Sequence, residues 1–309
     1  MTKKVLLAVD ESPPSRQTVK YAARVCAAAG DVRFTLFHVE PFVPEIFTAA
    51  AKENAAVKAE LEETIKSKEA VKRYVTHSLK DLLQEEGVPE DRIDTVVQPI
   101  NKGLAKDILT HAEDGGYDAI VLARTGLTPR RDVFIGTVAE KIVEHALDIP
   151  VWITDDPSTA MNFLLAVDGS ENSLRDIDHI TRMVGPNPAF RLTLFHVRPR
   201  LRHYYSPDFE KRSPNMQAVL HEADAKRMEA FYRKAYERLE NAGIDKAWVS
   251  QRTNTQSFDV ATAILDEARR VEYGTVVVGR RGERRAFFTG RIAMRLIQKL
   301  SGRNLCLFP

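Results

Sequence analysis

Leu6-Leu7-Ala8-Val9-Asp10 returns as Leu164-Leu165-Ala166-Val167-Asp168, and Thr35-Leu36-Phe37-His38-Val39 returns as Thr193-Leu194-Phe195-His196-Val197. Both returns share an offset of 158 residues, so the 309 residues hold two copies of one domain. Each copy is long enough to bury its own core. The run Lys4 to Val9 is continuous and apolar, as in a strand covered on both faces. Ser15 to Ala29 then carries helix-spaced Val19, Ala22, Ala23 and Cys26, and Gly30 supplies a helix stop.

Working outward, Phe34 to Val39 reads as the second strand. A helix-prone stretch from about Ala49 to Glu86 ends at Gly87-Val88-Pro89, and Thr95 to Pro99 forms a third strand. Leu104 to Ala112 is a helix, Asp118 to Ala123 a strand, Thr137 to Leu147 a helix and Pro150 to Thr154 a fifth strand. The second copy follows through Phe163 to Val167, Leu192 to Val197, a helix from about Asn215 to Asn241, Trp248 to Arg252, Thr275 to Val278 and Asn304 to Phe308. Five strands alternating with helices specify an α/β fold, here two tandem doubly wound five-stranded parallel-sheet domains. The expected boundaries are 1–156 and 161–309, with Asp155 to Ala160 as the linker.

Hydrophobic residues make up 44% and charged residues 28%, the composition of a globular protein, and the only cysteines, Cys26 and Cys306, lie in different copies. A disulfide framework is excluded. The N-terminal apolar run is too short for a signal peptide and no run reaches membrane-spanning length, so a cytoplasmic location is expected. A net charge of +2 from 45 basic and 43 acidic residues is a balanced surface, which disfavours nucleic acid as a partner.

In open sheets of this kind, ligands lodge beyond the carboxyl ends of the strands where the winding reverses. After the first strand stands Ala8-Val9-Asp10-Glu11-Ser12, a carboxylate followed by a hydroxyl, suited to a sugar hydroxyl; its counterpart is Asp168-Gly169-Ser170. After the fourth strand stands Ala123-Arg124-Thr125-Gly126, then nine residues, then Gly136-Thr137-Val138 opening the last helix. Glycines permit close backbone approach, and the free N–H groups and positive dipole of a helix start receive anionic oxygens. Walker-type and dinucleotide-type glycine loops are missing from both halves.

On these motifs the chain resembles the universal stress protein family, in particular its tandem members, over essentially its whole length. The resemblance implies an adenine nucleotide alpha hydrolase-like fold and ATP, with Mg2+ arriving alongside the nucleotide. Ala8, Val9, Asp10, Glu11 and Ser12 would lie near ribose and adenine, the backbone of Val39 near the adenine edge, and Ala123, Arg124, Gly126, Gly136, Thr137 and Val138 around the phosphates. Ala123 replaces a family glycine and adds only a methyl group. A second site would use Asp168, Val197, Gly279, Gly282, Gly290 and Arg291. There, seven residues instead of nine separate Gly282 from Gly290, and Arg291 replaces the small hydroxyl residue. The second copy is therefore expected to serve structure or another ligand.

Other readings stand beside these. Asp10, Asp168, Ser12 and Ser170 also suit helix capping. His38 and His196, at the ends of equivalent strands, read as packed side chains satisfied by a hydrogen bond. Arg280, Arg281, Arg284, Arg285 and Arg291 form either a grip on a different anion or a solvated edge. The segment Arg198 to Arg212, with Tyr204 and Tyr205, reads as a mobile connection rather than a stacking platform for nucleic acid. No metal-ligand spacing and no nucleophile, base and orienting acid appear at recognisable intervals, so catalysis has little support beyond slow ATP hydrolysis.

The expected role is stress-response signalling through unidentified protein partners, by nucleotide binding. The alternatives are a nucleotide-free scaffold or chaperone-like protein, and a slow ATPase. The fifth strands, Val151 to Ile153 and Leu305 to Leu307, would be bare edges in isolated domains. Their antiparallel pairing would make an internal pseudo-dimer, with further homodimerisation left open.

Overall fold

Lys3–Ala8 forms strand β1, in which Val5, Leu6 and Leu7 are all buried. In a computed structural model, which describes residues 2–126, 135–155, 160–257, 259–280 and 291–309, this strand is the centre of the first of two compact units. The first unit comprises Met1–Arg24 and Asp31–Thr154, and the second Val25–Gly30 and Asp155–Pro309. No helix among the described residues is long and apolar enough to cross a membrane.

In the first unit, α1 (Pro13–Val25) leads to β2 (Val32–Glu40), and helices α2 (Glu45–Ala50), α3 (Ala55–Arg73) and α4 (Leu79–Glu85) lead to β3 (Ile93–Pro99). Helix α5 (Leu104–Asp114), β4 (Ala119–Ala123), α6 (Thr137–His145) and β5 (Val151–Thr154) complete it. The sheet order is β3-β2-β1-β4-β5, every pair parallel. The chain winds outward from β1 on one side and then returns to build on the other, so the crevice lies beyond the ends of β1 and β4.

The second unit runs β6 (Asn162–Val167), α7 (Glu171–Val184), β7 (Arg191–Val197), α8 (Pro207–Arg212), α9 (Pro214–Asn241), β8 (Val249–Asn254), α10 (Val260–Arg270), β9 (Thr275–Gly279), α11 (Arg291–Lys299) and β10 (Asn304–Phe308). Its order is β10-β9-β6-β7-β8, again all parallel. Phe163, Leu164, Leu165, Leu194, Val276 and Val277 fill its centre.

The helix expected over Ser15 to Ala29 begins earlier and ends sooner. Pro13 and Pro14 fit the first turn, where no backbone donor is required, and a 3-10 turn at Ala27–Ala29 runs into Gly30 at φ 58°. The long helix-prone stretch is broken. Asn54 caps α3 by accepting from the amides of Ala56 (3.0 Å) and Val57 (3.3 Å), and a π-helical turn, Tyr74–Ser78, separates α3 from α4. No residue of α3 is buried, whereas Val75, Leu79, Leu82 and Leu83 beyond it are. Helix α9 has no such interruption over its 28 residues.

Arg198 to Arg212 is not a loose connection. Leu201–His203 is a 3-10 turn, Ser206 caps α8, and buried Glu210 receives Arg200 Nε at 3.0 Å and also Arg202 Nε. One buried carboxylate thus gathers two arginines that sequence alone leaves scattered. Glu210→Ala is expected to cost about 1–3 kcal/mol of stability, since it removes a buried carboxylate that two guanidinium groups bond and leaves a void in its place. Limited proteolysis should then cut within 198–212 faster than in the wild type.

Candidate functional site

The turn after β1 is organised by Asp10. Its Oδ1 accepts from the Ser12 amide (3.0 Å), from Ser12 Oγ and from Ser15 Oγ (2.6 Å), while Ser15 Oγ also accepts from the Asp10 amide (3.0 Å). The second unit repeats this bonding. Asp168 Oδ1 accepts from the Ser170 amide (3.0 Å) and Ser173 Oγ (2.9 Å), and Ser170 caps α7. One oxygen of each aspartate therefore builds the turn. The other oxygen of Asp10, Oδ2, faces Gly126, where an added Cβ would lie 3.0 Å from it.

Beyond β4 the chain leaves at Arg124 and returns at Gly136, whose amide donates to the Arg124 carbonyl at 2.8 Å. A Cβ on Gly136 would sit 3.2 Å from that carbonyl oxygen, so a side chain there meets rigid backbone. Helix α6 begins at Thr137, and its first amides, those of Thr137, Val138 and Ala139, have no partner within the helix.

These parts enclose a cavity of about 610 Å³ in the first unit, of the size that takes a small molecule. Of the residues expected there, Ala8, Val9, Asp10, Glu11, Val39, Ala123, Gly126, Gly136, Thr137 and Val138 line it. Ser12 and Arg124 do not. Ser12 is fully buried beneath Asp10, holding the turn. The amide of Arg124 still bonds Thr154 O (2.9 Å) in strand fashion, so the alternation that turns Ala123 and Thr125 to the cavity turns Arg124 away from it, and it is buried. Arg280, in the same place after β9, is likewise buried, with its amide on Phe308 O at 2.7 Å, rather than part of a solvated edge. Residues 281–290, with Gly282 and Gly290, and the side chain of Arg291 lie outside the described residues.

Backbone polarity at β2 follows from its pairing. Phe37 O accepts from Val9 N (3.0 Å) on the β1 side, and Glu40 O accepts from Ile100 N (2.8 Å) on the β3 side. By alternation the N–H and C=O of Val39 point to the β1 side, one step past the end of β1. An adjacent donor and acceptor thus face the cavity.

Sequence reasoning missed the wall supplied by α3. Ser67, Lys68 and Val71 line the cavity, and Lys68 Nζ stands 3.6 Å from Glu40 Oε2, which also lines it. Leu104 and Ile108 of α5 complete the apolar lining. His38 lines the cavity too, with Nδ1 on Val9 O at 2.9 Å, so its packed and hydrogen-bonded state is as expected.

In the second unit the long helix sends charged side chains into the same region. Asp224 lies 19 residues before Gly243, as Lys68 lies 19 before Gly87, and each glycine ends its helical arm with positive φ. Buried Asp224 meets His196 Nε2 (2.9 Å) and Arg227 (3.0 Å), while His196 Nδ1 meets Val167 O (3.0 Å). Burial pushes the Asp224 carboxyl up, but its bonds to His196 and Arg227 outweigh this and hold it below the usual carboxylate range. Arg227 and Met228 come within 3.1 Å of where a Cβ on Gly169 would be, covering the turn after Asp168. Gly279 and Val197 end β9 and β7 at their expected places. Among the described residues, no group of three or more His, Cys, Asp or Glu side chains could hold a metal ion.

The universal stress protein family model matches residues 1–155 and again 160–302. No curated protein sequence matches the chain significantly. Among solved structures, a universal stress protein from Archaeoglobus fulgidus DSM 4304 is 17% identical, covers 99% of this chain and 97% of its own, and superposes with a TM-score of 0.61. A functionally unknown protein from Pseudomonas aeruginosa PAO1 is 12% identical over 99% of this chain and 92% of its own, with a TM-score of 0.56. A universal stress protein solved in complex with cAMP matches about one half, 48% of this chain and 95% of its own, at 17% identity and a TM-score of 0.31. With the family's model matched once in each half, and the same sheet order built twice, the chain belongs to the universal stress protein family.

Proposed function

We propose that this stress-response protein binds ATP or another adenine nucleotide in its first unit, and that its second unit serves structure or another ligand. The observation that carries the reading is the cavity at the end of β1 and β4. The first α6 amides, which have no partner within their helix, stand on one side of it, and the donor and acceptor of Val39 face it on the other. Phosphates belong at the α6 start, where N–H groups and the helix dipole favour negative charge. Asp10 Oδ2, not needed for the turn, is available to a ribose hydroxyl. The base then reaches Val39.

Charge bears on the form of the ligand. Asp10, Glu11 and Glu40 line the cavity against one described cation, Lys68. A free triphosphate meets net repulsion there, which supports entry as the Mg2+ complex. Binding without turnover is the reading for the site as described, since it supplies hydrogen-bonding groups but no base set to activate water.

Native mass spectrometry of freshly purified protein is expected to release one adenine nucleotide per chain. Calorimetric titration of stripped protein should then show a single saturable ATP site that weakens when Mg2+ is chelated. Absence of both signals would leave a nucleotide-free scaffold as the better account.

A further inference from the structure

In the second unit a buried histidine, His196, is met at Nε2 by a carboxylate from the long helix. The equivalent His38 of the first unit has Nδ1 spent on the Val9 carbonyl and lines the cavity, as does Lys68. A carbonyl oxygen only accepts, so Nδ1 carries the proton and Nε2 of the neutral ring is an acceptor. Lys68 brings ammonium donors. Its 3.6 Å separation from Glu40 is wider than a charged hydrogen bond, which leaves donors for a further acceptor. Both side chains belong to the β2 end of the cavity, two strands from the start of α6, since the order β2-β1-β4 separates them.

We propose that Lys68 and His38 are specificity-determining residues that read the base of the bound nucleotide. The assignment rests on the adenine-nucleotide reading above. His38 Nε2 accepts from the exocyclic amine of a 6-aminopurine, and Lys68 Nζ donates to the adjacent ring nitrogen N1. A 6-oxopurine presents an acceptor and a donor in the reverse order and leaves both groups facing like partners. Glu40 holds Lys68 in the empty site and competes with the base for it.

This competition gives the two members of the ion pair opposite signs, which a merely structural pair would not show. Lys68→Met keeps the aliphatic stem on a helix with no buried residue, so the fold is expected to persist, as circular dichroism would confirm. ATP affinity should fall about tenfold and the preference for ATP over GTP should shrink, while competition by inorganic triphosphate stays unchanged. Glu40→Gln should leave ATP affinity equal or higher. Undiminished ATP preference in Lys68→Met, equal loss of inorganic triphosphate binding, or equal weakening by both substitutions would overturn the assignment while wild-type ATP binding still supported the nucleotide site. Wild-type protein that binds no nucleotide would remove both.

Discussion

Gly136→Val is expected to abolish saturable ATP binding, lowering affinity by about a hundredfold or more. The added side chain would start 3.2 Å from the Arg124 carbonyl that the Gly136 amide itself bonds at 2.8 Å. Both groups are backbone, so relief requires the loop closure to open and the first α6 amides to move out of register. A shift of one ångström in preorganised donors removes most of their value to a charged ligand. Gly290→Val makes the same change at the glycine that ends the shorter spacing of the second copy, and should leave ATP affinity within about twofold. Calorimetric titration of the two variants decides the matter. Equal loss in both would assign nucleotide to both halves, and unchanged binding in Gly136→Val would remove the phosphate-loop reading.

Asp176→Asn should stabilise the second unit, and more so as the pH rises. Asp176 lies buried on α7, at the position that Thr18 holds in the first unit. Thr18 is well served there, with its hydroxyl on Pro14 O (3.1 Å) and on Thr154 Oγ1 (2.5 Å). Burial, with a contribution from the charge of Asp168, pushes the Asp176 carboxyl up to about 8, against the opposing pull of Arg175. Its neighbour Cys306, fully buried, is pushed up as well. The folded chain therefore keeps a proton that the unfolded chain releases near pH 4. The stability linked to this group is complete below pH 4 and is lost as pH climbs toward about 8. Asparagine is neutral throughout, so the variant lacks that slope, and about four pH units at about 1.36 kcal/mol each put the gain near pH 8 on the order of 5 kcal/mol. Denaturant melts at pH 5, 6.5 and 8 would show the wild type losing ground and the variant holding. Parallel curves would show that Asp176 stays charged inside the fold.

The repeat, the five strands of each half and the switch-point turns were legible because they rest on runs of apolar residues and on glycine spacing. Those signals come directly from burial and backbone geometry. Side-chain direction was not legible at Arg124 or Ser12. Spacing says which residue follows a strand, while alternation and the needs of a turn decide which way it points. Ser67, Lys68 and Val71 left no sign at all, since α3 reads as a charged, exposed helix and is one. Only its position over the end of β2 gives Lys68 a task. Arg198 to Arg212 misled for a related reason. Its arginines and tyrosines look like a solvated link until Glu210, ten residues from Arg200, is placed among them.

The two helical arms show where the halves differ. Counted back from their closing glycines, Lys68 and Val71 stand at the positions of Asp224 and Arg227, and those positions face inward in both copies although a π turn at Tyr74–Ser78 interrupts the first arm and nothing interrupts the second. The contrast between the halves thus lies in the side chains at two shared positions, a lysine and a valine against an acid and an arginine, and not in the path of the helix. Exchange of two residues on such an arm can line or fill a chamber without touching the sheet.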